Sequence, residues 1–115
     1  MAVSAYASNT QAATVTTEHF LSSPNVAGTF TLHVDLVGLL AGDVVELRCY
    51  QMILTAGTQR VAYVQRYEGV QPADALIVIS VPISNELTDA NSLRFSLKQT
   101  VGTSRNFPWK VLRYA

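Results

Sequence analysis

From Thr14 to the end of the chain one pattern recurs: a short run rich in β-branched and aromatic residues, then a cluster of turn formers. Seven runs are readable, at about 13–21, 28–37, 43–54, 60–68, 75–83, 92–99 and 107–114. In the second, Phe30, Leu32, Val34 and Leu36 alternate with Thr29, Thr31, His33 and Asp35. In the sixth, Leu93, Phe95 and Leu97 alternate with Arg94, Ser96 and Lys98. Period-two alternation is the mark of a strand with one buried face. The separators, such as Ser22-Ser23-Pro24-Asn25, Ala41-Gly42-Asp43 and Gly69-Val70-Gln71-Pro72, hold the residues that turns demand. No amphipathic helix longer than about two turns can be drawn. Only Ser84 to Asn91 offers a helical turn, with Ser84 as its N-cap. The expected fold is all-β: a single antiparallel β-sandwich, jelly-roll-like or immunoglobulin-like.

At 115 residues the chain has room for one domain, enough to bury roughly two-thirds of its unfolded surface without metal or disulfide support. Residues 1–12 are mostly Ala, Ser, Asn, Thr and Gln, with Tyr6 the one bulky side chain after Met1. They read as a flexible N-terminal arm, and 13–115 as the sandwich. Charged residues make up 14%, and eight bases balance eight acids. That balance argues against a nucleic-acid partner, which calls for a basic face. The longest uncharged apolar run, 75–83, is too short to span a bilayer. The first residues carry no early Lys or Arg and no sustained apolar stretch, so neither a secretory leader nor a membrane partner is expected.

Catalytic chemistry is thinly supplied. His19 and His33 are the only histidines, in no zinc spacing, and the single Cys49 cannot form an internal disulfide. Alternation places Cys49 with Val45, Leu47 and Ile53 on the core face, as a small hydrophobe. No phosphate loop, dinucleotide fingerprint or nucleophile elbow is present. The expectation is a protein that is not an enzyme and needs no cofactor or metal.

Two features point to recognition instead. If Val45, Leu47, Cys49 and Ile53 face the core, then Tyr50, Met52 and Leu54 face outward, more apolar than a solvated sheet face should be. They are candidate interface residues, covered by another subunit, the arm or a loop of the same chain. Second, Thr55-Ala56-Gly57-Thr58-Gln59-Arg60 echoes Thr100-Val101-Gly102-Thr103-Ser104-Arg105, each downstream of a Leu-Arg pair. Both read as hairpin tips, with Arg60 and Arg105 set for carboxylate or phosphate contacts. Tyr6 is the natural anchor of the arm.

Three segments together, Leu39-Leu40-Ala41-Gly42-Asp43-Val44-Val45-Glu46-Leu47-Arg48, Gly57-Thr58-Gln59-Arg60-Val61-Ala62-Tyr63 and Leu97 through Phe107-Pro108-Trp109, resemble a group of small virion structural proteins of tailed bacteriophages. The resemblance covers about residues 13–115. It implies a capsid decoration, or cement, protein: a homo-oligomer, dimer or trimer, on the outer surface of the head, bound to the major capsid protein and made in the host cytoplasm. It implies no particular site residue. A tail, connector or fibre-base component is the alternative within the virion. A glycan-binding sandwich using Tyr63, Tyr67 and Trp109 is the alternative outside it.

Overall fold

The computed structural model describes residues 2–115, and among them there is no helix. Nine strands follow in order: β1 (Val3–Ala12), β2 (Glu18–Ser22), β3 (Gly28–Asp35), β4 (Val44–Gln51), β5 (Arg60–Glu68), β6 (Ile77–Ile79), β7 (Ile83–Asn85), β8 (Leu93–Val101) and β9 (Asn106–Tyr114). All pairings are antiparallel. One sheet runs β1-β9-β3-β6, with β7 also on β3, and the other runs β2-β8-β4-β5.

The pairs β1·β9, β2·β8, β3·β6/β7 and β4·β5 nest inside one another like the two arms of one long hairpin. Rolling that hairpin brings β9 against β3 and β8 against β4. This is the jelly-roll order, which separates the fold from the immunoglobulin alternative. Even the ends pair: Ala2 N–H donates to Ala115 O at 3.1 Å, and Ala115 N–H to Ala2 O at 3.0 Å.

The alternating residues build the core as their spacing requires. Phe30, Leu32, Val34, Phe107, Trp109 and Val111 from the first sheet meet Val45, Leu47, Cys49, Leu93, Phe95 and Leu97 from the second. Leu36 and Leu39 close the β3–β4 end. Two buried amides plug opposite ends of the sandwich. Gln99 Nε2 donates to Thr103 O at 2.7 Å and to Val101 O at 3.2 Å, while its Oε1 accepts from Arg105 N–H at 3.1 Å. Asn85 Nδ2 donates to Val26 O at 3.1 Å and Leu87 O at 3.0 Å. Such groups are tolerated inside only when their hydrogen bonds are made.

Four expectations are corrected. Residues 3–12, expected as an arm, form β1, paired along β9 from Val3↔Tyr114 to Ala12↔Asn106. The composition of this segment fits side chains left mostly outside the core, but it does not govern backbone pairing, and β9 supplies the ladder. The run at 75–83 divides into β6 and β7, and the run at 13–21 begins its strand only at Glu18, after a turn in which Thr16 has φ 71°. Ser84 is extended within β7, where it pairs with Thr29, and starts no helical turn. Pro108 sits near the start of β9, one residue beyond the last β3 pair, Val34↔Trp109, so its missing N–H breaks no ladder bond to β3.

Candidate interaction surface

The six residues singled out in the sequence do not share one surface. Tyr50 stands on the outer face of the second sheet, half-buried, and its hydroxyl donates to Glu18 Oε2 at 2.6 Å. Ser96 Oγ donates to the same oxygen at 2.6 Å. Burial works to raise the Glu18 carboxyl, but these two donors, with Arg48 and Lys98 nearby, hold it below the ordinary range. Phe20 lies 6.0 Å from Tyr50 between ring centroids, under the guanidinium of Arg94 at 3.4 Å. Tyr50 is therefore covered by β2 of its own chain.

Met52 is buried, and Ile53, placed by alternation on the core face, is the exposed one at 74%. The reason is local: β4 ends at Gln51, and Met52 N–H turns to Ser92 O at 2.9 Å, so the period of two stops there. Tyr6 is the extra residue of a bulge between Ala5 and Ala7. Its ring meets Phe30 edge-on, with centroids 5.5 Å apart. Arg105 is tied down, donating from Nε to Asp43 Oδ2 at 2.7 Å.

The echoed tips also separate. The loop after β4 joins neighbours within one sheet, whereas the loop after β8 crosses to the other sheet. Val44↔Val101 at one end of the β4–β8 pair and Gln51↔Leu93 at the other place the two tips at opposite ends of the sandwich.

Leu54 and Arg60 do share a loop, and it is the most developed surface feature. Residues 52–59 are fastened at their base and flank. Thr55 Oγ1 donates to Asp89 Oδ1 at 3.0 Å, Ala56 N–H to Asp89 Oδ2 at 2.9 Å, and Gln59 Nε2 to Asn91 O at 2.7 Å. The Ala56 N–H and the Thr55 hydroxyl hold the Asp89 carboxyl below its ordinary range. Gly57 N–H closes a turn onto Leu54 O at 2.9 Å. A Cβ at Gly57 would crowd that same carbonyl oxygen. On this frame Ile53 and Leu54, exposed at 74% and 72%, project side by side into solvent. Arg60 stands exposed at the foot of the loop, opposite Gln51. The turn residues were legible in the sequence. The Asp89 clasp, made 33 positions away, was not.

Other candidate chemistry is dispersed. His19 Nε2 accepts from Thr14 N–H at 3.0 Å on the second sheet, while His33 Nε2 lies 2.9 Å from Thr31 Oγ1 on the first. Among the described residues no three His, Cys, Asp or Glu side chains converge to hold a metal ion. A shallow trough of about 360 Å³ on the outer face of the first sheet includes Ser8, His33, Asp35 and Lys110. Burial, then Lys110, pushes the His33 imidazole down. Trp109 is buried, and Tyr63 and Tyr67 pair with the core residues Cys49 and Val45, so their half-buried rings line the inner face of the edge strand.

No protein-family model matches the chain, and no curated protein or solved structure matches it.

Proposed function

We propose that this protein is a non-enzymatic virion structural module, a head decoration protein that binds the outside of an assembled shell and stabilises it. The observation that carries the reading is the clasped tip with Ile53 and Leu54 exposed. Two large aliphatic side chains held in solvent by a fixed frame suit docking into a preformed apolar recess. Burying each contributes about 1.5–3 kcal/mol. Because the frame is already ordered, little conformational entropy is lost on binding.

Two further points support it. The jelly roll is an architecture of viral capsid proteins, and the sequence resembles tailed-phage virion components. A ligand that binds the assembled shell and not its free subunits shifts the balance towards assembly. Repetition over the shell multiplies a modest energy per site.

The test is quantification of this chain against the major shell protein in purified particles, followed by rebinding of a Leu54→Ser, Ile53→Ser double variant to stripped shells. Decoration predicts copy numbers of the same order as the shell protein. It also predicts an affinity loss on the order of 100-fold or more, from about 3–6 kcal/mol of lost burial. A few copies per particle would place the protein in the tail or connector. Absence from the particles would overturn the virion reading.

A further inference from the structure

The sandwich has four edges, and three carry the features that keep edges from pairing. β2 has five residues, with an irregularity between Phe20 and Ser22 and a charge at Glu18. β5 is long but bears Arg60, Arg66 and Glu68, and its ladder to β4 is kinked between Cys49 and Tyr50. β6 and β7 are three residues each. The fourth edge, β1, has ten residues, VSAYASNTQA, without a charge or a proline.

The hydrogen-bonding pattern shows which part of that edge is open. Ala2 exchanges both backbone bonds with Ala115, so by alternation Val3 and Ala5 direct theirs away from β9. The extra residue at Tyr6 resets the phase, and Ser8 and Thr10 then face outward. Proline opposite Thr10 agrees with this phase, since Pro108 has no N–H to give back. At the far end the edge is closed by its own side chains. Asn9 Oδ1 accepts from Thr10 N–H at 2.8 Å, and Gln11 Nε2 donates to Ala12 O at 3.0 Å. The stretch Val3–Ser8 has no such cover from its own side chains.

We infer that this stretch is a self-association surface: two copies pair their β1 strands antiparallel across a two-fold axis, joining their β1-β9-β3 sheets into one. A two-fold contact sets the same patch against itself, so its chemistry must suit itself. An uncharged strand does so in any register, with no like charges opposed. The small Ser4, Ala5, Ala7 and Ser8 leave room for the second backbone. By contrast, β5 of another copy would bring Arg60 and Arg66 to an edge with no acid to receive them. Strand addition of this kind draws its affinity from main-chain hydrogen bonds. The contact uses neither Ile53 nor Leu54 and stands apart from shell binding.

Sedimentation equilibrium on the full chain tests it. The expected mass approaches twice 12.5 kDa at high concentration and falls towards 12.5 kDa on dilution. Ala5→Pro removes an outward donor and no β9 bond, and should stay at the single-chain mass with unchanged circular dichroism. Ser8→Lys should raise the dissociation constant on the order of tenfold or more. Amide exchange on the unmodified chain gives an independent readout. The Val3, Ala5 and Ser8 amides should be protected only at dimer concentrations, and the Ser4 and Ala7 amides at all concentrations. A single-chain mass throughout would overturn the proposal. So would a dimer in which the Val3, Ala5 and Ser8 amides exchange freely, which would show that another surface pairs.

Discussion

Among the described residues, Arg105 and Asp43 form the one ion pair with a buried partner: the 2.7 Å bond from Arg105 Nε reaches a carboxylate only 2% exposed. Leu40 N–H and Thr103 N–H complete the shell around that carboxylate at 3.0 and 3.1 Å. The cluster ties the β3–β4 loop to the β8–β9 loop. Burial works to raise the Asp43 carboxyl, but Arg105 and the two amides outweigh it and hold it below the ordinary range. The folded state thus binds its proton at lower pH than the unfolded state. The stabilisation is complete above the unfolded value, about 3.9, and is lost as pH falls through the folded one. Urea titrations of the parent and Asp43→Asn from pH 7 to pH 2 should show a shallower acid slope in the variant. A residual slope from Glu18, shifted in the same direction, should remain. At neutral pH Arg105→Ala, which leaves the carboxylate buried and unpaired, should cost about 3–5 kcal/mol.

Gly102 stands against the same carboxylate. Its φ is 102°, and a Cβ there would overlap the Asp43 side chain. Gly102→Ala should cost about 2 kcal/mol or more in chemical denaturation. Gly42→Ala shares the unfavourable φ, 86°, but meets no neighbour within 4 Å and should cost less. Equal losses at both glycines would show that φ alone sets the cost.

Removing residues 2–12 separates an arm from a strand. An arm could be cut away with the thermal midpoint unchanged. The paired β1 of this structure cannot, because its loss uncovers the β9 ladder and takes Tyr6 from the buried Phe30. The truncated chain should melt several degrees lower, since roughly 1 kcal/mol shifts a domain of this size by about 4 °C.

Cys49 lies fully buried on β4, and burial pushes its thiol up to about 12. The thiolate is the reactive form. In native buffer at pH 8 a disulfide reagent should therefore react at the rate of unfolding, and immediately in denaturant. Rapid native labelling would show that β4 opens locally.

The alternating residues of β3, β4, β8 and β9 made the two-layer core legible, because a side-chain period of two is a property of each strand by itself. Gln99 was within reach on the same grounds, as it continues the inward series Leu93, Phe95, Leu97. What the sequence withheld was set between distant segments: the pairing of 3–12 with 106–114, the Asp89 clasp on the 52–59 loop, and the point at which Met52 leaves the β4 period. Of the six candidate interface residues, Leu54 and Arg60 share the proposed docking loop. Met52 proved buried, Arg105 is half-buried and held by Asp43, and Tyr50 and Tyr6 pack against their own chain.

The nested pairing also dictates an order of events during synthesis. β4 and β5 form the innermost hairpin and can close as soon as both exist. Each outer pair must wait for a strand made later, and β1, made first, meets β9 last. Throughout elongation β1 therefore has both sides open, and its lack of charge is an exposure in the nascent chain. Folding rate should be governed by this long-range closure, which places the protein among slow-folding β topologies and not the fast local ones.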